Sequence, residues 1–214
     1  MRNVAKDEIE MTARRKAMLS EGFRLFAEKG IEPVTMQEVA DTCGVGIATL
    51  YRYYNTKSAL VIDIATRQWE EYAEYIKVEQ VKHNSEEMKA SESLEFYLDF
   101  YMELYKNHKD LLRFNQNFNN YVMHEGISKE RLVPYIQAIG TFAGMFHRVY
   151  EKGRKDGTIR MDMPEEKMFA ATSHIMLAVA VRYAQGLLYA AEHEEDRTEE
   201  YELLKRMILR EYVV

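Results

Sequence analysis

Residues 35–60 read TMQEVADTCGVGIATLYRYYNTKSAL, and this stretch decides how the N-terminal part of the chain folds. Thr35 and Glu38 have the spacing of a capping box, in which each side chain accepts a hydrogen bond from the backbone N–H of the other residue, so a helix should begin here. Gly44 can adopt the left-handed conformation that ends a helix without steric cost. A second short helix is predicted from about Ile47 to Tyr53, and the stretch is therefore interpreted as a helix-turn-helix.

Composition favours a mostly helical protein with a sizeable core. The chain has 214 residues, 47% of them hydrophobic, with only three prolines and ten glycines. A single cysteine excludes an internal disulfide and a multi-cysteine zinc site, and we expect neither a metal nor another cofactor. The longest charge-free apolar stretch, Met168 to Val181, is shorter than the roughly 20 residues that span a bilayer. Because no leader pattern is evident either, we expect a cytoplasmic protein without a membrane partner.

The distribution of charge is more informative than the net charge of −6. Residues 1–60 hold nine Lys and Arg against eight Asp and Glu, whereas the remainder holds 20 against 27. An acidic remainder would repel DNA and direct the N-terminal end towards it. The candidate phosphate partners are Arg2, Lys6, Arg14, Arg15, Lys16, Arg52 and Lys57. An ordinary mixed surface remains the alternative explanation of this modest asymmetry.

The rest of the chain shows helical periodicity and no strand alternation, which predicts an all-α fold of about nine helices. Three helices should form a small N-terminal unit and the others a larger bundle. Ser91 is a candidate cap for the fifth helix. Gly22 lies within a predicted helix, where glycine costs roughly 1 kcal/mol relative to alanine. Either a neighbouring helix crosses closely at this residue, or the glycine destabilises the helix without a compensating contact. The predicted helices outside the opening stretch are Met11–Lys29, Thr56–Lys82, one from Ser91, Asp110–His124, one from Pro134 to Asp156, Pro164–Ala191 and one ending near Tyr212.

The N-terminal pattern closely resembles the DNA-binding domain of TetR-family (tetracycline-repressor-like) transcriptional regulators. The residues that carry the resemblance are Phe26-Ala27-Glu28-Lys29-Gly30, Thr35, Val39-Ala40, Gly44-Val45, Thr49-Leu50-Tyr51-Arg52-Tyr53-Tyr54, Lys57 and Leu60. The resemblance covers roughly residues 14–62 and is much weaker beyond them. It implies an all-α homodimer with a helix-turn-helix domain over residues 1–56 and an effector-binding and dimerisation domain over residues 57–214. Gly46 departs from the family, which often has Ser at this position.

The helix-turn-helix predicts a double-stranded DNA partner, with the second helix in the major groove. The resemblance places phosphate contacts at Tyr51, Tyr53 and Lys57, although core packing is the alternative for the two tyrosines. Gln37 could contact adenine through two hydrogen bonds. Gly46, Ile47 and Ala48 lack hydrogen-bonding side chains, so they can offer only backbone or thymine-methyl contacts. The complete predicted DNA-binding set is Thr35, Gln37, Gly46, Ile47, Ala48, Thr49, Tyr51, Tyr53 and Lys57.

The resemblance also implies that the last two helices pair with those of a second copy and that the bundle binds a small, largely apolar effector. The predicted dimer interface is Ile175, Leu177, Ala178, Val181, Leu203, Leu204 and Ile208, with intramolecular core as the alternative. The predicted pool of effector-binding residues is Phe96, Tyr97, Phe100, Tyr101, Phe114, Asn115, Phe118, Phe142, Phe146 and Met176, and most of these could equally be core. Asparagine competes with helical backbone bonds, so we expect side-chain or ligand partners for some asparagines of residues 110–124. Solvated surface positions are the alternative, and they are favoured for Asn117 and Asn120.

The preferred function is a ligand-responsive repressor that binds a near-palindromic operator as a homodimer and is released by its effector. No catalytic triad, glycine-rich phosphate loop or metal-ligand spacing supports an enzyme. An all-helical interaction protein of the same fold without sequence-specific DNA binding remains the alternative, because Gly46, Ile47 and Ala48 are chemically plain. The direction of control is also open, and an activator would have the same motif.

Overall fold

The computed structural model describes residues 4–186 and 196–214, and it confirms the predicted all-α class. A 3-10 turn, Ser85–Glu87, lies between two of the helices. The nine α-helices of the described residues are α1 Val4–Lys29, α2 Met36–Thr42, α3 Ile47–Tyr53, α4 Lys57–Lys82, α5 Ala90–Asn107, α6 Lys109–His124, α7 Val133–Asp156, α8 Glu165–Gln185 and α9 Thr198–Tyr212.

Two predicted helix boundaries are wrong. Helix α1 begins at Val4 rather than at Met11, because residues 4–10 include the good helix formers alanine, lysine and glutamate. Helix α8 ends at Gln185 rather than at Ala191, since Gly186 adopts a positive φ of 86°. The remaining residues of the predicted helix, 187–191, lie outside the described part of the chain.

Helix α5 begins in a way that the sequence did not indicate. Ser91 lies inside the helix rather than at its cap, and the cap residue Lys89 provides no side-chain bond. The backbone N–H groups of Ala90 and Ser91 instead donate to Asp156 Oδ2 at 2.7 Å and to Thr158 Oγ1 at 3.0 Å, respectively. The first turn of α5 is therefore capped by residues more than 60 positions later, which satisfies donors that an isolated helix would leave open.

The chain divides into two compact units. Unit 1 comprises residues up to Glu70 together with Phe114–Ala138, and unit 2 comprises Glu71–Arg113 together with Ile139–Val214. Helices α4, α6 and α7 therefore each contribute residues to both units.

The core of unit 1 is built where α1 crosses α4. A Cβ added at Gly22 would lie 2.8 Å from Cδ1 of Ile64, so the glycine permits a close helix crossing rather than merely bearing its cost. The predicted small core is confirmed, and α6 extends it through Phe114, whose ring lies 5.4 Å from that of Phe23. The predicted members of this core are Ile31, Val34, Val39 and Leu50, all buried.

In unit 2, α5 packs against α8 and α9. The buried Lys205 of α9 bonds Asp99 Oδ1 at 2.5 Å and Glu95 Oε1 at 3.1 Å, so its charge is compensated by two carboxylates of α5.

In α7 the apolar pattern is only partly internal: Phe146 and Tyr150 are buried, but Ile136 is 45% exposed. Within the described helices, none is long and apolar enough to cross a membrane.

Candidate nucleic-acid interface

The capping box predicted at the start of α2 is confirmed. The backbone N–H of Glu38 donates to Thr35 Oγ1 at 3.1 Å, and the backbone N–H of Thr35 donates to Glu38 Oε2 at 2.8 Å. The bond from Thr35 lowers the pKa of the Glu38 carboxyl group. This local chemistry fixes the first helix of the motif at the predicted residue.

The turn between α2 and α3 has the geometry of a Schellman motif. Gly44 has a φ of 65°, its N–H donates to the Asp41 carbonyl at 3.1 Å, and the N–H of Val45 donates to the Ala40 carbonyl at 3.0 Å. Gly46 then caps α3 without a side-chain hydrogen bond. The turn is thus set by backbone bonds, and the serine that often stands at residue 46 in the family is not needed to form it.

Helix α3 has one buried face and one exposed face. Leu50 is fully buried between the helices of the core, whereas Ala48 and Arg52 are exposed and Tyr51 is 46% exposed. The Tyr51 hydroxyl has no hydrogen-bond partner among the described residues, and a large aromatic side chain with a free donor on an exposed helix is suited to a phosphate oxygen. Ile47 packs against the core, which leaves Ala48 as the exposed apolar group of the first turn.

Other predicted DNA-binding side chains are held by neighbours. The Gln37 amide donates to Asp41 Oδ1 at 2.8 Å, one helical turn away. Thr49 is partly buried, and its hydroxyl lies 3.5 Å from an Arg52 nitrogen. Tyr53 packs partly against the core with its hydroxyl 3.5 Å from the Met11 carbonyl, a distance too long for a strong bond.

Lys57, in the first turn of α4, is less free than the sequence predicts. Its ammonium donates to the Glu32 carbonyl at 3.0 Å and lies 5.7 Å from the centre of the Tyr121 ring. Burial lowers the pKa of this lysine. Its contact with a neutral carbonyl leaves the positive charge without a carboxylate partner within salt-bridge distance in the described part of the chain.

A side-chain cluster that the sequence analysis missed fixes the end of α3. Tyr54 is 6% exposed, and its hydroxyl donates to Asp63 Oδ2 at 2.6 Å, while the Arg15 guanidinium donates to the same oxygen at 2.8 Å. Burial, followed by the bond to Asp63, raises the pKa of Tyr54, and Asp63 raises the pKa of Arg15. Arg15, predicted as a phosphate partner, is thus ion-paired. No local pattern could reveal the cluster, since Asp63 lies 48 residues after Arg15.

Only some of the predicted effector residues meet at one place. Phe96, Tyr97 and Phe100 line a cleft of about 370 Å³ in unit 2, a volume that includes space open to solvent. Of the others in unit 2, Tyr101 bonds Ser173, Phe142 lies near Tyr72, Phe146 packs on Phe169, and the backbone carbonyl of the buried Met176 accepts a bond from Tyr201.

Phe114, Asn115 and Phe118 belong to unit 1 rather than to the bundle that lines this cleft. The two phenylalanines are core residues. The buried Asn115 accepts hydrogen bonds from Trp69 Nε1 at 3.3 Å and from the Tyr135 hydroxyl at 3.2 Å. Asn120 of the same helix also has a side-chain partner, since its Oδ1 accepts a hydrogen bond from Gln116 Nε2 at 3.1 Å. Two of the asparagines of α6 therefore have side-chain partners.

The predicted dimer residues differ in exposure. Ala178 is exposed, and Ile175 and Leu203 are 45% and 50% exposed. Ile208 is buried within the protomer, whereas Leu177, Val181 and Leu204 are partly buried. Met207, which was not predicted, is 59% exposed one turn after Leu203. Helices α8 and α9 thus present apolar side chains to solvent, a feature typical of an interaction surface.

Comparisons with known proteins agree with this geometry. Residues 18–64 match the family model described as bacterial regulatory proteins, tetR family. An HTH-type transcriptional regulator of Staphylococcus aureus is 30% identical over 100 residues, which are 45% of this chain and 50% of that protein. The chain thus spans about half the length of that relative. The HTH-type transcriptional repressor KstR2 of Rhodococcus jostii is 24% identical over 167 residues, 77% of each chain.

Solved structures extend the likeness to the whole fold. The transcriptional regulator FadR from Bacillus subtilis, solved in complex with stearoyl-CoA, superposes with a TM-score of 0.71 at 13% sequence identity. The alignment covers 92% of this chain and 98% of that one. At this identity the match shows a common fold over most of both chains.

Proposed function

The chain belongs to the TetR family of bacterial regulatory proteins, and we propose that it is a repressor that binds a near-palindromic operator as a homodimer and is released by a small, largely apolar effector. The observation that carries this proposal is the construction of α3. Its buried Leu50 and the bonded turn before it hold the helix firmly, while Ala48 and Tyr51 remain exposed on its outer side. Such a helix can enter a major groove about 12 Å wide.

The proposed interface relies more on phosphate contacts than on base contacts. Among the described residues, Tyr51 offers a hydroxyl without a hydrogen-bond partner, and the ammonium of Lys57 bonds a neutral carbonyl rather than a carboxylate. Ala48 can contact a thymine methyl group, and Gln37 would have to exchange its bond to Asp41 for one to adenine. We therefore propose that DNA shape contributes much of the sequence preference.

Dimerisation is proposed because one short helix buries too little surface for strong operator binding. Two copies related by a two-fold axis would place their α3 helices about one turn of DNA apart. The exposed Ile175, Leu203 and Met207 of α8 and α9 support a self-complementary interface. The functional division at residue 56 is retained as a proposal, although by compactness the first half of α4 belongs to unit 1.

Release by an effector is proposed because unit 2 contains a cleft beside an aromatic wall. An effector that binds better to the form with altered spacing between the two recognition helices would lower operator affinity by population shift. The direction of control is proposed by analogy with the Rhodococcus jostii relative, which is named a repressor.

The DNA-binding proposal is tested by selecting genomic fragments on the purified protein and measuring affinity at several salt concentrations. Lys57→Ala should weaken specific and non-specific binding alike and reduce the slope of log K against log salt by about 0.9 for each phosphate that the lysine neutralises. Lys77→Ala is the matched control, since this exposed lysine of α4 pairs with Glu74 far along the helix from α3.

The same measurement decides between the two candidate functions. A purified dimer that retains no fragment at low salt would refute the repressor and leave the all-helical interaction protein. Binding that is insensitive to salt, or equally reduced in the Lys57 and Lys77 variants, would refute the proposed phosphate contact while leaving DNA binding in place.

A further inference from the structure

The cleft of unit 2 is formed by two helices that present matching faces. From α5 come Ser93, Phe96, Tyr97 and Phe100, and from α7 come Met145, Arg148, Val149 and Lys152. Both sets follow the spacing i, i+3, i+4 and i+7, which places four side chains on one side of a helix. Gln80, Ser85 and Glu86 complete the lining.

One wall of the cleft is apolar. Tyr97, Phe100, Met145 and Val149 are at most 7% exposed, and Phe96 is partly buried with its ring 4.9 Å from that of Phe100. The cleft is partly open, so its volume of about 370 Å³ includes space that belongs to the solvent. This wall can accept the apolar body of a ligand.

The lining of the cleft also carries an excess of positive charge. Arg148 and Lys152 stand one turn apart on the same face of α7, and like charges at this spacing repel each other. Among the described residues that line the cleft, Glu86 has the one carboxylate. In the described part of the chain, no carboxylate oxygen lies within salt-bridge distance of either cation. The chain as a whole is acidic, which makes an uncompensated pair of cations beside a cleft noteworthy.

The donors of these residues are not equally available. The Lys152 ammonium donates to the carbonyls of Ser85 and Met88 and, at 3.0 Å, to Ser93 Oγ, so its three hydrogens are used while its charge remains. Because Ser93 accepts this bond, its own hydroxyl hydrogen is available to donate. Within the described part of the chain, Arg148 makes only long bonds, at 3.3 Å to the Gly144 carbonyl and 3.4 Å to Gln80 Oε1, and so retains donors for an anion.

We propose that this cleft binds an amphipathic anion, with a carboxylate or phosphate head on Arg148 and Ser93 and an apolar body against Phe96, Phe100 and Val149. The charge of Lys152, fixed behind Ser93, adds attraction without a direct bond. Binding relieves the repulsion between the two cations and covers the part of Phe96 that is exposed. That this ligand is the effector of the regulator rests on the proposed function. The inference narrows the predicted effector from a largely apolar molecule to an amphipathic anion.

The test uses the full chain without DNA and four probes of equal chain length: decanoate, decyl phosphate, decanol and decylamine. In isothermal titration calorimetry, decanoate or decyl phosphate should bind, decanol should bind roughly tenfold or more weakly, and decylamine should not bind. The stronger of the two anions identifies whether the head is a carboxylate or a phosphate.

The deciding variant is Arg148→Met, which keeps the apolar stem on an exposed residue and removes the charge. This variant should lower the affinity for the anion roughly tenfold or more and leave the affinity for decanol unchanged. Arg154→Met is the matched control, because Arg154 lies on the same helix, pairs with Glu151 and does not line the cleft.

Each other outcome overturns the proposal. Equal binding of decanoate and decanol would show an apolar cleft without anion recognition, and equal weakening in the Arg148 and Arg154 variants would show general electrostatic attraction. Binding of none of the probes would refute this ligand class. Operator binding of the same preparation is measured separately, so a chain that binds DNA but no anion refutes only this inference, and one that binds the anion but no DNA refutes only the repressor.

Discussion

The adjacent tyrosines at the end of α3 provide a sharp test of how this helix is held. Tyr54 is 6% exposed and donates to Asp63 Oδ2 at 2.6 Å. Tyr53 is partly buried and has only a 3.5 Å approach to the Met11 carbonyl. Changing either residue to phenylalanine removes one oxygen and keeps the ring, so the two variants differ in the hydrogen bond that is removed.

The expected magnitudes follow from these distances. A hydrogen bond to a charged group contributes about 1.5–3 kcal/mol, but the Asp63 side chain is 24% exposed and keeps its bond to Arg15. Water can therefore replace part of the missing interaction, and Tyr54→Phe should lower the free energy of unfolding by about 1–2 kcal/mol. Tyr53→Phe should change it by less than about 0.5 kcal/mol, since its bond is too long to contribute much.

The assay is urea or thermal unfolding followed by tryptophan fluorescence. Trp69 is the only tryptophan of the chain, is 6% exposed and belongs to unit 1, so it reports on the unit that contains both tyrosines. The expected destabilisation for Tyr54→Phe corresponds to a fall in Tm of about 2–8 °C. A Tyr54→Phe protein as stable as wild type, or a Tyr53→Phe protein destabilised to the same degree, would refute the role given to the Asp63 bond.

Three further predictions concern other parts of the chain. Gly153→Ala should cost about 1–2 kcal/mol in thermal unfolding because the new Cβ would overlap Ile159, whereas a stabilised variant would contradict this packing. The Thr35 bond lowers the pKa of Glu38 below its ordinary value, so its contribution to stability is present above that ordinary value and disappears as pH falls through the lowered pKa. Glu38→Gln should flatten this pH dependence of stability in circular dichroism titrations. Leu203→Glu should yield monomers in analytical ultracentrifugation, and a persisting dimer would refute the proposed interface.

The sequence predicted the helix class and the DNA-binding motif well because both depend on neighbouring residues. The capping box of Thr35 and Glu38 and the left-handed Gly44 act over three to five positions, so their geometry follows from residue type and spacing alone. The close crossing at Gly22 was one of two interpretations of a single residue, and only the position of Ile64 decided between them.

The candidate sites were less predictable than the motif. Aromatic residues recur along α5, α6 and α7 with the same periodicity whether they line a cleft or fill a core. The structure places Phe96, Tyr97 and Phe100 at the cleft and Phe114 and Phe118 in the core of unit 1. The difference depends on which helices are neighbours, and that information is absent from the pattern of any single helix.

By itself, the sequence determined that this chain is all-helical and carries a helix-turn-helix with Tyr51 and Lys57 in the family positions. Only the tertiary structure determined that Lys57 bonds the Glu32 carbonyl, that Tyr54 is tied to Asp63 and that Asp156 caps α5. The physical reason is the range of each interaction. The capping box and the turn of the helix-turn-helix join residues within a few positions. These three bonds instead join residues 25, 9 and 66 positions apart, and they exist only once the helices have packed.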